Sequence, residues 1–227
     1  MRSDAEAKRH IIEIANDLFA AGHLTPTGGN LSARAADDDK IWITPSQLYK
    51  GSLTQETLLC IREDGSLVEG EGKPSVEYQM HWKSYQVRPD ATAAVHTHGP
   101  AATAFGITNQ TFPPINTDAI FLADTRIVPW FMPGSTELAE AVAEALKASR
   151  GAILQCHGLM AVGKTMRDAA TRAMMIEETA KLTLYCKQFG GEVAVIPPEW
   201  VERRSQPMCL TCSASRRCWA ERSRQRK

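Results

Sequence analysis

The sequence predicts a three-layer α/β sandwich, in which helices flank a central and largely antiparallel sheet. Strand-like and helix-like segments are mixed without strict alternation, and turns of hairpin length join several of the strands. A doubly wound parallel sheet is disfavoured, because it needs a helical crossover between successive strands. A chain of 227 residues, 43% of them hydrophobic, is long enough to bury a substantial core as one domain.

The N-terminal half is predicted to contain one helix followed by strands that tight turns connect. Apolar residues recur with a helical period up to Gly22, where the helix is expected to stop. The acidic run Asp37–Asp39 and the pair Asp64-Gly65 are typical of hairpin turns. The predicted elements are a helix over residues 4–22, a strand beginning near residue 30, and strands over residues 41–44, 58–61 and 67–68.

The C-terminal half is predicted to contain longer helices between short strands. One helix is expected to open at Ser75, and another at Thr136 with Ser135 or Thr136 as its N-cap residue. The predicted elements, in order, are a helix over 75–85, a strand containing residues 96 and 98, a short helix over 100–105, a strand over 126–131, a helix over 136–148, strands over 151–154 and 159–162, and a helix over 166–188.

A histidine pair in an apolar segment is the most informative feature for function. His96 and His98 are two residues apart in a predicted strand, so both side chains should project from the same face. A third histidine, His157, follows the short strand over residues 151–154. Three imidazole nitrogens with one open coordination position are typical of a catalytic zinc site. The alternative is that His96 and His98 are ordinary half-buried strand histidines.

Glu77 is a candidate partner for this site. It lies at the start of the helix that leads to the histidine strand, 19 residues before His96. A carboxylate near zinc can ligate the ion at rest and act as an acid or base when substrate displaces it. The alternative is a first-turn glutamate that the helix dipole stabilises.

Two turns of small residues are candidate anion sites. Gly28-Gly29-Asn30 and Thr44-Pro45-Ser46 should both expose backbone N–H groups together with short polar side chains. Such turns form nests for phosphate and other oxyanions, although similar turns are common in hairpins.

Five segments that contain these residues form an ordered series. They are Thr27-Gly28-Gly29-Asn30-Leu31-Ser32, Ile43-Thr44-Pro45-Ser46, Lys73-Pro74-Ser75-Val76-Glu77, Val95-His96-Thr97-His98 and Gln155-Cys156-His157-Gly158-Leu159. Together they resemble the class II aldolase/adducin family, over about residues 8–200. The series is specific for this superfamily and discriminates poorly among its reactions.

The resemblance implies a nine-stranded antiparallel sheet between helix layers and a homotetramer with active sites at the subunit interfaces. It also implies one Zn²⁺ per subunit and a catalytic acid/base that contacts the metal. By position, the implied zinc ligands are His96, His98 and His157, the acid/base is Glu77, and the substrate-phosphate pocket is formed by Gly28, Gly29, Asn30, Ser46 and Ser75.

The implied reaction is zinc-dependent cleavage of a short ketose 1-phosphate, such as L-fuculose 1-phosphate, to dihydroxyacetone phosphate and a small aldehyde. Two other reactions remain open, namely dehydration of methylthioribulose 1-phosphate and decarboxylation of a phosphorylated 3-oxo sugar acid. A non-catalytic, adducin-like scaffold is a further alternative, but a scaffold would be expected to have lost the histidines. Epimerase activity is disfavoured, because the epimerases carry aspartate at the position of Glu77.

Three departures from the family pattern bear on the substrate. Gln47 stands where the phosphate turn usually has glycine, and Val76 replaces the second serine of Ser-Ser-Glu. Both changes predict weaker phosphate binding or a substrate with another anion. The segment Pro114–Asp118 lacks the tyrosine of the fuculose-phosphate aldolases, and no tyrosine follows Tyr185. Asp118 is a candidate replacement for this proton donor, the alternative being a solvated loop aspartate.

Charge and hydropathy exclude several classes of partner. The net charge is zero, so no global charge favours nucleic acid or an acidic membrane surface. No apolar run approaches the roughly 18 residues of a membrane span, and the N-terminus has no signal-peptide pattern. These observations predict a cytoplasmic protein, and the resemblance implies a small-molecule sugar-phosphate substrate.

The last residues differ in composition from the rest of the chain. Residues 205–227 carry six basic residues against one acidic residue, and they contain three of the six cysteines. We expect a family-type domain over residues 1–203 and a disordered basic tail over residues 204–227, rather than a second zinc site.

Other histidines and one cysteine are given structural interpretations. His10, His23 and His81 are expected to be exposed or half-buried in or near helices. Cys156 is interpreted as a small buried strand residue rather than a nucleophile.

Overall fold

One eight-stranded sheet runs through the part of the chain that the structure describes. The structure is a computed structural model and describes residues 3–37 and 39–205. The strands are β1 (Asn30–Arg34), β2 (Ile41–Ile43), β3 (Leu59–Ile61), β4 (Leu67–Glu69), β5 (Ala93–Thr97), β6 (Arg126–Val128), β7 (Gly151–Leu154) and β8 (Gly158–Gly163). They are ordered β4-β3-β2-β1-β5-β8-β7-β6, and every neighbouring pair is antiparallel except β6 and β7.

Helices cover both faces of the sheet. They are α1 (Asp4–Ala20), α2 (Tyr78–Val87), α3 (Pro100–Ile107), α4 (Thr117–Ile120), α5 (Thr136–Leu146), α6 (Met166–Phe189) and α7 (Pro198–Ser205), with 3₁₀ turns at Lys50–Ser52 and Gln55–Thr57. Helices α1, α3 and α6 contribute to the hydrophobic cluster on one face, and α2 and α5 contribute to the cluster on the other. The predicted three-layer arrangement and its largely antiparallel sheet are therefore confirmed.

The expectation of nine strands is wrong, because the described residues form eight. The remaining strand-like pairing among them is an isolated bridge between Pro45 and Pro74. Proline has no backbone N–H, so a ladder cannot propagate through these two residues. The predicted strand over residues 126–131 also ends early, at Val128, since Pro129 follows it.

Two helix starts show how capping residues set the boundaries. Helix α5 begins as predicted, with the Ser135 hydroxyl accepting a hydrogen bond from the Leu138 amide at 3.1 Å. Helix α2 begins at Tyr78 rather than at Ser75, and its N-cap residue is Glu77. The Ser75 carbonyl instead accepts from the Tyr78 amide in a turn that precedes the helix. Glu77 is therefore held at the N-terminus of α2, and its side chain lies against the central strand β5, where Glu77 Oε2 is 3.3 Å from His96 Nε2.

The C-terminal prediction is only partly covered by the structure. Helix α7 extends across the predicted boundary at residues 203 and 204. Residues 206–227 lie outside the described residues, so the disordered tail stays a prediction. Among the described helices, none has the length and apolarity required to cross a membrane.

Candidate active site

Three histidines and one glutamate, distant in sequence, meet at one end of the central sheet. His96 lies in β5 and His98 follows that strand, so the two imidazoles lie side by side. His157 lies in the turn between β7 and β8, and β8 pairs with β5. Glu77 approaches from the N-terminus of α2. The structure thus brings together the four side chains that the sequence pattern singled out.

The donor atoms of these side chains converge on one point. His96 Nε2 lies 2.9 Å from His98 Nε2 and 3.3 Å from Glu77 Oε2. His157 Nε2 lies 3.1 Å from Glu77 Oε1, and one ligand atom from each of the four residues lies within 4.8 Å of the others. Four ligands on a tetrahedral zinc ion, with bonds of about 2.0–2.2 Å, lie roughly 3.3–3.6 Å apart. The group therefore fits a divalent cation in size and in donor type.

The tautomer of His96 also suits a metal ligand. Its Nδ1 lies 2.8 Å from the Leu159 carbonyl oxygen. A carbonyl can only accept, so Nδ1 carries a proton, and Nε2 is the atom that can present a lone pair to a metal. A backbone partner of this kind fixes ring orientation in metal-binding histidines.

The charges of the group are set by its burial and its close packing. Burial tends to raise the pKa of Glu77, but His96 and His157 outweigh that effect and hold the pKa well below its usual range. Burial, with His96 and His157 nearby, lowers the pKa of His98 to about 3. At neutral pH, therefore, the glutamate is an ionised carboxylate and His98 a neutral imidazole, the forms that bind a metal.

Glu77 Oε1 is a buried acceptor without a hydrogen bond among the described residues. The His157 nitrogen lies close enough for an ion pair but is not aligned to donate to it. Buried polar atoms are normally satisfied, so an atom of this kind indicates a missing ligand. This observation agrees with a cation shared between Glu77 and His157.

A buried glutamate on the other face of β5 supports the histidine strand. Helix α3 begins two residues after His98, and its Ala101 and Ala102 amides donate to the Glu177 carboxylate at 3.1 Å and 2.7 Å. A carboxylate at a helix N-terminus satisfies orphan N–H groups and opposes the helix dipole. Glu177 thus ties α6 to the end of β5 that carries the site.

Three residues of the predicted phosphate pocket lie beside the group. Asn30 donates from Nδ2 to Glu77 Oε2 at 2.8 Å, and the Ser75 hydroxyl accepts from the Glu77 amide at 3.3 Å. A Cβ atom at Gly28 would lie 2.5 Å from His98 Nδ1, so only glycine allows this close approach. Gly29 joins Gly28 to Asn30, and Asn30 is the partner of His96 across β1 and β5.

Ser46 is placed near this pocket by the turn that contains it. Its amide donates to the Lys73 carbonyl at 2.9 Å, which holds the turn against the segment leading to Ser75. The next residue, Gln47, has a φ of +57°, in the left-handed region that favours glycine. The sequence-based argument that a side chain at this position brings a backbone restriction is consistent with that angle.

Replacing Gln47 with glycine should stabilise the protein. A non-glycine residue in the left-handed region costs roughly 1–2 kcal/mol, part of which the greater unfolded-state entropy of glycine offsets. We expect the free energy of unfolding to rise by about 0.5–1 kcal/mol in urea denaturation. Gln86→Gly, inside helix α2, is the matched control and should lower it by a similar amount. A loss of stability in Gln47→Gly would contradict the argument.

Two histidines are more deeply buried than the sequence-based interpretation expected. His23 and His81 are 1% and 0% exposed, so their assignment to exposed or half-buried positions is wrong. His81 lies one helical turn after Glu77, on the side of α2 that faces β1, and Asn30 Oδ1 is 2.5 Å from its Nε2. His81 is four residues after Glu77, a spacing that places both side chains on the same side of a helix. This spacing is the sequence signal that could have associated His81 with the site.

The interpretation of Cys156 as a buried strand residue is also wrong. Strand β7 ends at Leu154, and Cys156 is exposed in the turn that follows, with a φ of +57°. The tight turn directs His157 back towards the site and leaves the preceding side chain in solvent.

Asp118 is exposed in the first turn of α4, and Asn116 caps that helix by accepting from the Ala119 amide. The contacts described for this segment do not join Asp118 to Glu77 or to the histidines. Its assignment as a proton donor remains a prediction.

Comparison with known proteins identifies the family. The model of the class II aldolase and adducin N-terminal domain matches residues 9–184. An L-fuculose phosphate aldolase of Methanococcus maripaludis is 34% identical over 172 residues, which cover 75% of this chain and 92% of that protein. A 5-methylthioribulose-1-phosphate/5-deoxyribulose-1-phosphate aldolase of Rhodospirillum rubrum is 32% identical over 200 residues, which cover 87% of this chain and 89% of that protein.

The fold agrees with a solved structure as well. An L-fuculose 1-phosphate aldolase superposes with a TM-score of 0.78 and 29% sequence identity, covering 89% of this chain and 95% of that one. The intact group of Glu77 and three histidines distinguishes the chain from a scaffold that has lost its site, so it is an enzyme of the lyase type. The family match, the relatives and the shared fold show that the chain belongs to the class II aldolase and adducin family.

Proposed function

We propose that the protein is a zinc-dependent aldolase that cleaves a short ketose 1-phosphate, such as L-fuculose 1-phosphate, to dihydroxyacetone phosphate and a small aldehyde. The observation that carries the proposal is the convergence of three imidazoles and one carboxylate at the end of β5. Membership of the family and the aldolase activities for which its relatives are named support this choice of reaction.

In this proposal His96, His98 and His157 hold one zinc ion per subunit, and Glu77 completes the set before substrate binds. When bound, the ion would supply Lewis-acid stabilisation of the negative charge that develops on the substrate's oxygens. Manganese or cobalt would satisfy the same nitrogen and oxygen ligands, so elemental analysis must identify the native ion.

Glu77 is the proposed acid/base. Its carboxylate is ionised, buried, and accepts a hydrogen bond from Asn30, so both its charge and its direction are defined. When the bond between C3 and C4 of the ketose breaks, the electron pair stays on C3, and the ionised Glu77 carboxylate takes up the proton that the C4 hydroxyl loses as the aldehyde forms. Glu77 then delivers that proton to C3, which yields dihydroxyacetone phosphate.

The phosphate of the substrate is proposed to bind beside this carboxylate. Gly28, Gly29 and Asn30 form the turn on which the phosphate would lie. The Gly28 amide already donates to the Thr25 hydroxyl, so the proposed donors are the Gly29 amide and the hydroxyl groups of Ser46 and Ser75. Val76 is 62% exposed where the family has a second serine, so the pocket has one hydroxyl fewer. We therefore propose that this protein binds the substrate phosphate more weakly than relatives with the complete motif do.

The test is a panel of ketose 1-phosphates given to purified protein of known metal content. The panel contains L-fuculose 1-phosphate, 5-deoxyribulose 1-phosphate and 5-methylthioribulose 1-phosphate, and dihydroxyacetone phosphate is detected by coupled reduction. We expect about one zinc per subunit, cleavage of at least one substrate, loss of activity with a chelator, and recovery on adding zinc. Stoichiometric zinc without dihydroxyacetone phosphate from any substrate would refute the aldolase reaction.

Decarboxylation of a phosphorylated 3-oxo sugar acid is the second candidate. The observation that favours it is the segment Pro114–Asp118, which has no tyrosine to exchange a proton with the C4 oxygen that becomes the aldehyde. Loss of carbon dioxide needs no such donor. Release of carbon dioxide from a phosphorylated 3-oxo acid would support this candidate, and loss of water from methylthioribulose 1-phosphate would instead support a dehydratase. A protein without bound metal would favour an adducin-like scaffold.

We also propose a cytoplasmic homotetramer with active sites at the subunit interfaces. Two large apolar side chains, Trp130 and Met132, are 51% and 62% exposed in the segment that leads to Gly134. Exposed apolar surface of this kind supports a subunit interface at this segment. The Gly134 backbone packs directly on Val76, which places this apolar surface next to Glu77. The native mass of the purified protein tests the assembly.

A further inference from the structure

A line of hydrogen bonds leads from Glu77 into the core between α2 and the sheet. Asn30 Nδ2 donates to Glu77 Oε2 at 2.8 Å, and His81 Nε2 lies 2.5 Å from Asn30 Oδ1. His81 Nδ1 lies 2.7 Å from the Ser32 hydroxyl. Asn30, Ser32 and His81 are at most 4% exposed, so solvent does not replace any of these contacts.

The protons in this line follow from the charge of the carboxylate. Ionised Glu77 can only accept, so the Asn30 atom that faces it must be the NH₂ group. Asn30 Oδ1 then faces His81, and His81 Nε2 must carry a proton in order to donate. His81 Nδ1 is therefore an acceptor, and the Ser32 hydroxyl donates to it. Each hydrogen bond from Glu77 to Ser32 therefore has one donor and one acceptor, and no two donors or acceptors face each other.

His81 is in the right protonation state for this arrangement. Burial, with His96 nearby, lowers the pKa of His81 to about 3, so the ring is neutral at physiological pH and has a single N–H. That N–H is directed to Asn30 because Ser32 occupies the other ring nitrogen.

The scaffold fixes both ends of the line. Asn30 and Ser32 are two residues apart on β1 and therefore project from the same face of the sheet. His81 and Tyr85 are four residues apart on α2, and the Tyr85 hydroxyl lies 2.8 Å from the Ser32 hydroxyl. The imidazole is thus held between a strand and a helix and has little freedom to rotate.

We infer that His81 is a positioning residue, which sets the Asn30 amide so that its NH₂ group faces the Glu77 carboxylate. Without the His81 donor, the amide can turn over and present its oxygen to Glu77. Two acceptors would then face each other, and the carboxylate would leave the direction in which it meets the metal and substrate. The kinetic part of this inference rests on the proposed function, whereas the metal-binding part does not.

The primary test uses Co²⁺ alone as a probe, because it occupies zinc sites and its visible spectrum reports the ligand arrangement. His81→Leu should weaken Co²⁺ binding about 10-fold and change the spectrum, as expected for a lost outer partner of a metal ligand. His81→Gln should restore most of both, since its side-chain amide nitrogen reaches the position of Nε2. His81→Asn should not, because its shorter amide reaches only the position of Nδ1.

A matched control removes a buried hydroxyl from the same helix. Ser84 is 0% exposed and donates to the Met80 carbonyl at 2.7 Å, away from Asn30. Ser84→Ala should leave Co²⁺ affinity and the spectrum unchanged, whatever its effect on thermal stability. If His81→Leu does not fold, Ser32→Ala serves as the second variant and should weaken Co²⁺ binding about 3-fold, since it frees the other ring nitrogen.

A double-mutant cycle separates positioning from general damage. Asn30→Ala should reproduce the change that His81→Leu causes in Co²⁺ affinity and, with an active substrate, in kcat. In the Asn30→Ala background, His81→Leu should then change Co²⁺ affinity by less than about a further 2-fold. The reason is that His81 acts on Glu77 only through Asn30, which this background has already removed. Fully additive losses would show a merely structural role for His81.

The outcomes distinguish this inference from the proposed function. If no ketose phosphate is cleaved but His81→Leu weakens Co²⁺ binding and His81→Gln restores it, the proposed function fails and the positioning role stands. If substrate is cleaved but His81→Leu keeps both the Co²⁺ affinity and kcat, the positioning role is overturned.

Discussion

Replacing His98 with alanine should abolish metal binding and catalysis together. The variant leaves two imidazoles and one carboxylate, and it removes the nitrogen that lies 2.9 Å from His96 Nε2. Losing a residue that only hydrogen-bonds to a metal ligand weakens metal binding by up to about 100-fold. Loss of a ligand itself should cost more, so we expect zinc affinity to fall by more than about 100-fold. A bound metal lowers the activation free energy by several kcal/mol, because it stabilises the charge that develops in the transition state. Turnover should therefore fall about 10³-fold or more. Elemental analysis and dihydroxyacetone phosphate formation measure the two effects.

The control for this variant is His10→Ala. His10 is exposed on α1, far from the group in sequence and outside the four residues that converge. It should keep the full metal content and full activity. His98→Ala with a complete equivalent of zinc and normal turnover would remove His98 from the site and weaken the whole assignment.

The fold was predictable from the sequence to the extent that local signals govern it. Turns such as Asp64-Gly65 and caps such as Ser135 determine where elements meet, and each acts through its nearest neighbours in the chain. The strand count was not predictable in this way. Pairing between Pro45 and Pro74 depends on residues 29 positions apart, and two missing N–H groups reduce it to a single bridge.

The site was predictable where sequence spacing determines direction. Alternation along β5 places His96 and His98 on one face, and the resemblance assigned His157 as the third ligand and Glu77 as the acid/base. His81 was not found, since its role depends on α2 lying across β1 so that the imidazole meets Asn30. Cys156 was misassigned for a similar reason, because a residue can leave the sheet for a turn without a glycine or proline to mark it.

Two substitutions on either side of the pocket have different physical consequences. Gln47 changes the backbone energy of the phosphate turn, since its φ is +57° and glycine would relieve that restriction. Val76 changes the chemistry, since it replaces a hydroxyl with an exposed apolar surface. Stability measurements report the first substitution and substrate affinity reports the second, so the two effects can be separated.

Replacing Glu77 with glutamine should preserve the metal and remove most of the turnover. The side chains have nearly the same shape, the glutamine oxygen can still accept the hydrogen bond from Asn30 Nδ2, and the three histidines remain to hold the ion. The neutral amide cannot take up or deliver a proton, and a general acid or base contributes about 10²- to 10⁴-fold to a rate. We expect kcat to fall in that range with close to one zinc per subunit, measured by elemental analysis and the coupled assay.

Glu137→Gln is the control that tests the simpler explanation of Glu77 as a helix-dipole residue. Glu137 is exposed in the first turn of α5, so its neutralisation removes only a favourable interaction with the helix N-terminus, worth about 0.3–1 kcal/mol of stability. It should lower the unfolding midpoint slightly and leave kcat unchanged. If Glu77→Gln behaves in the same way, Glu77 is a capping residue and the acid/base must be sought elsewhere. If only Glu77→Gln loses turnover, while its metal stays bound, the loss belongs to proton transfer and not to the fold or the ion.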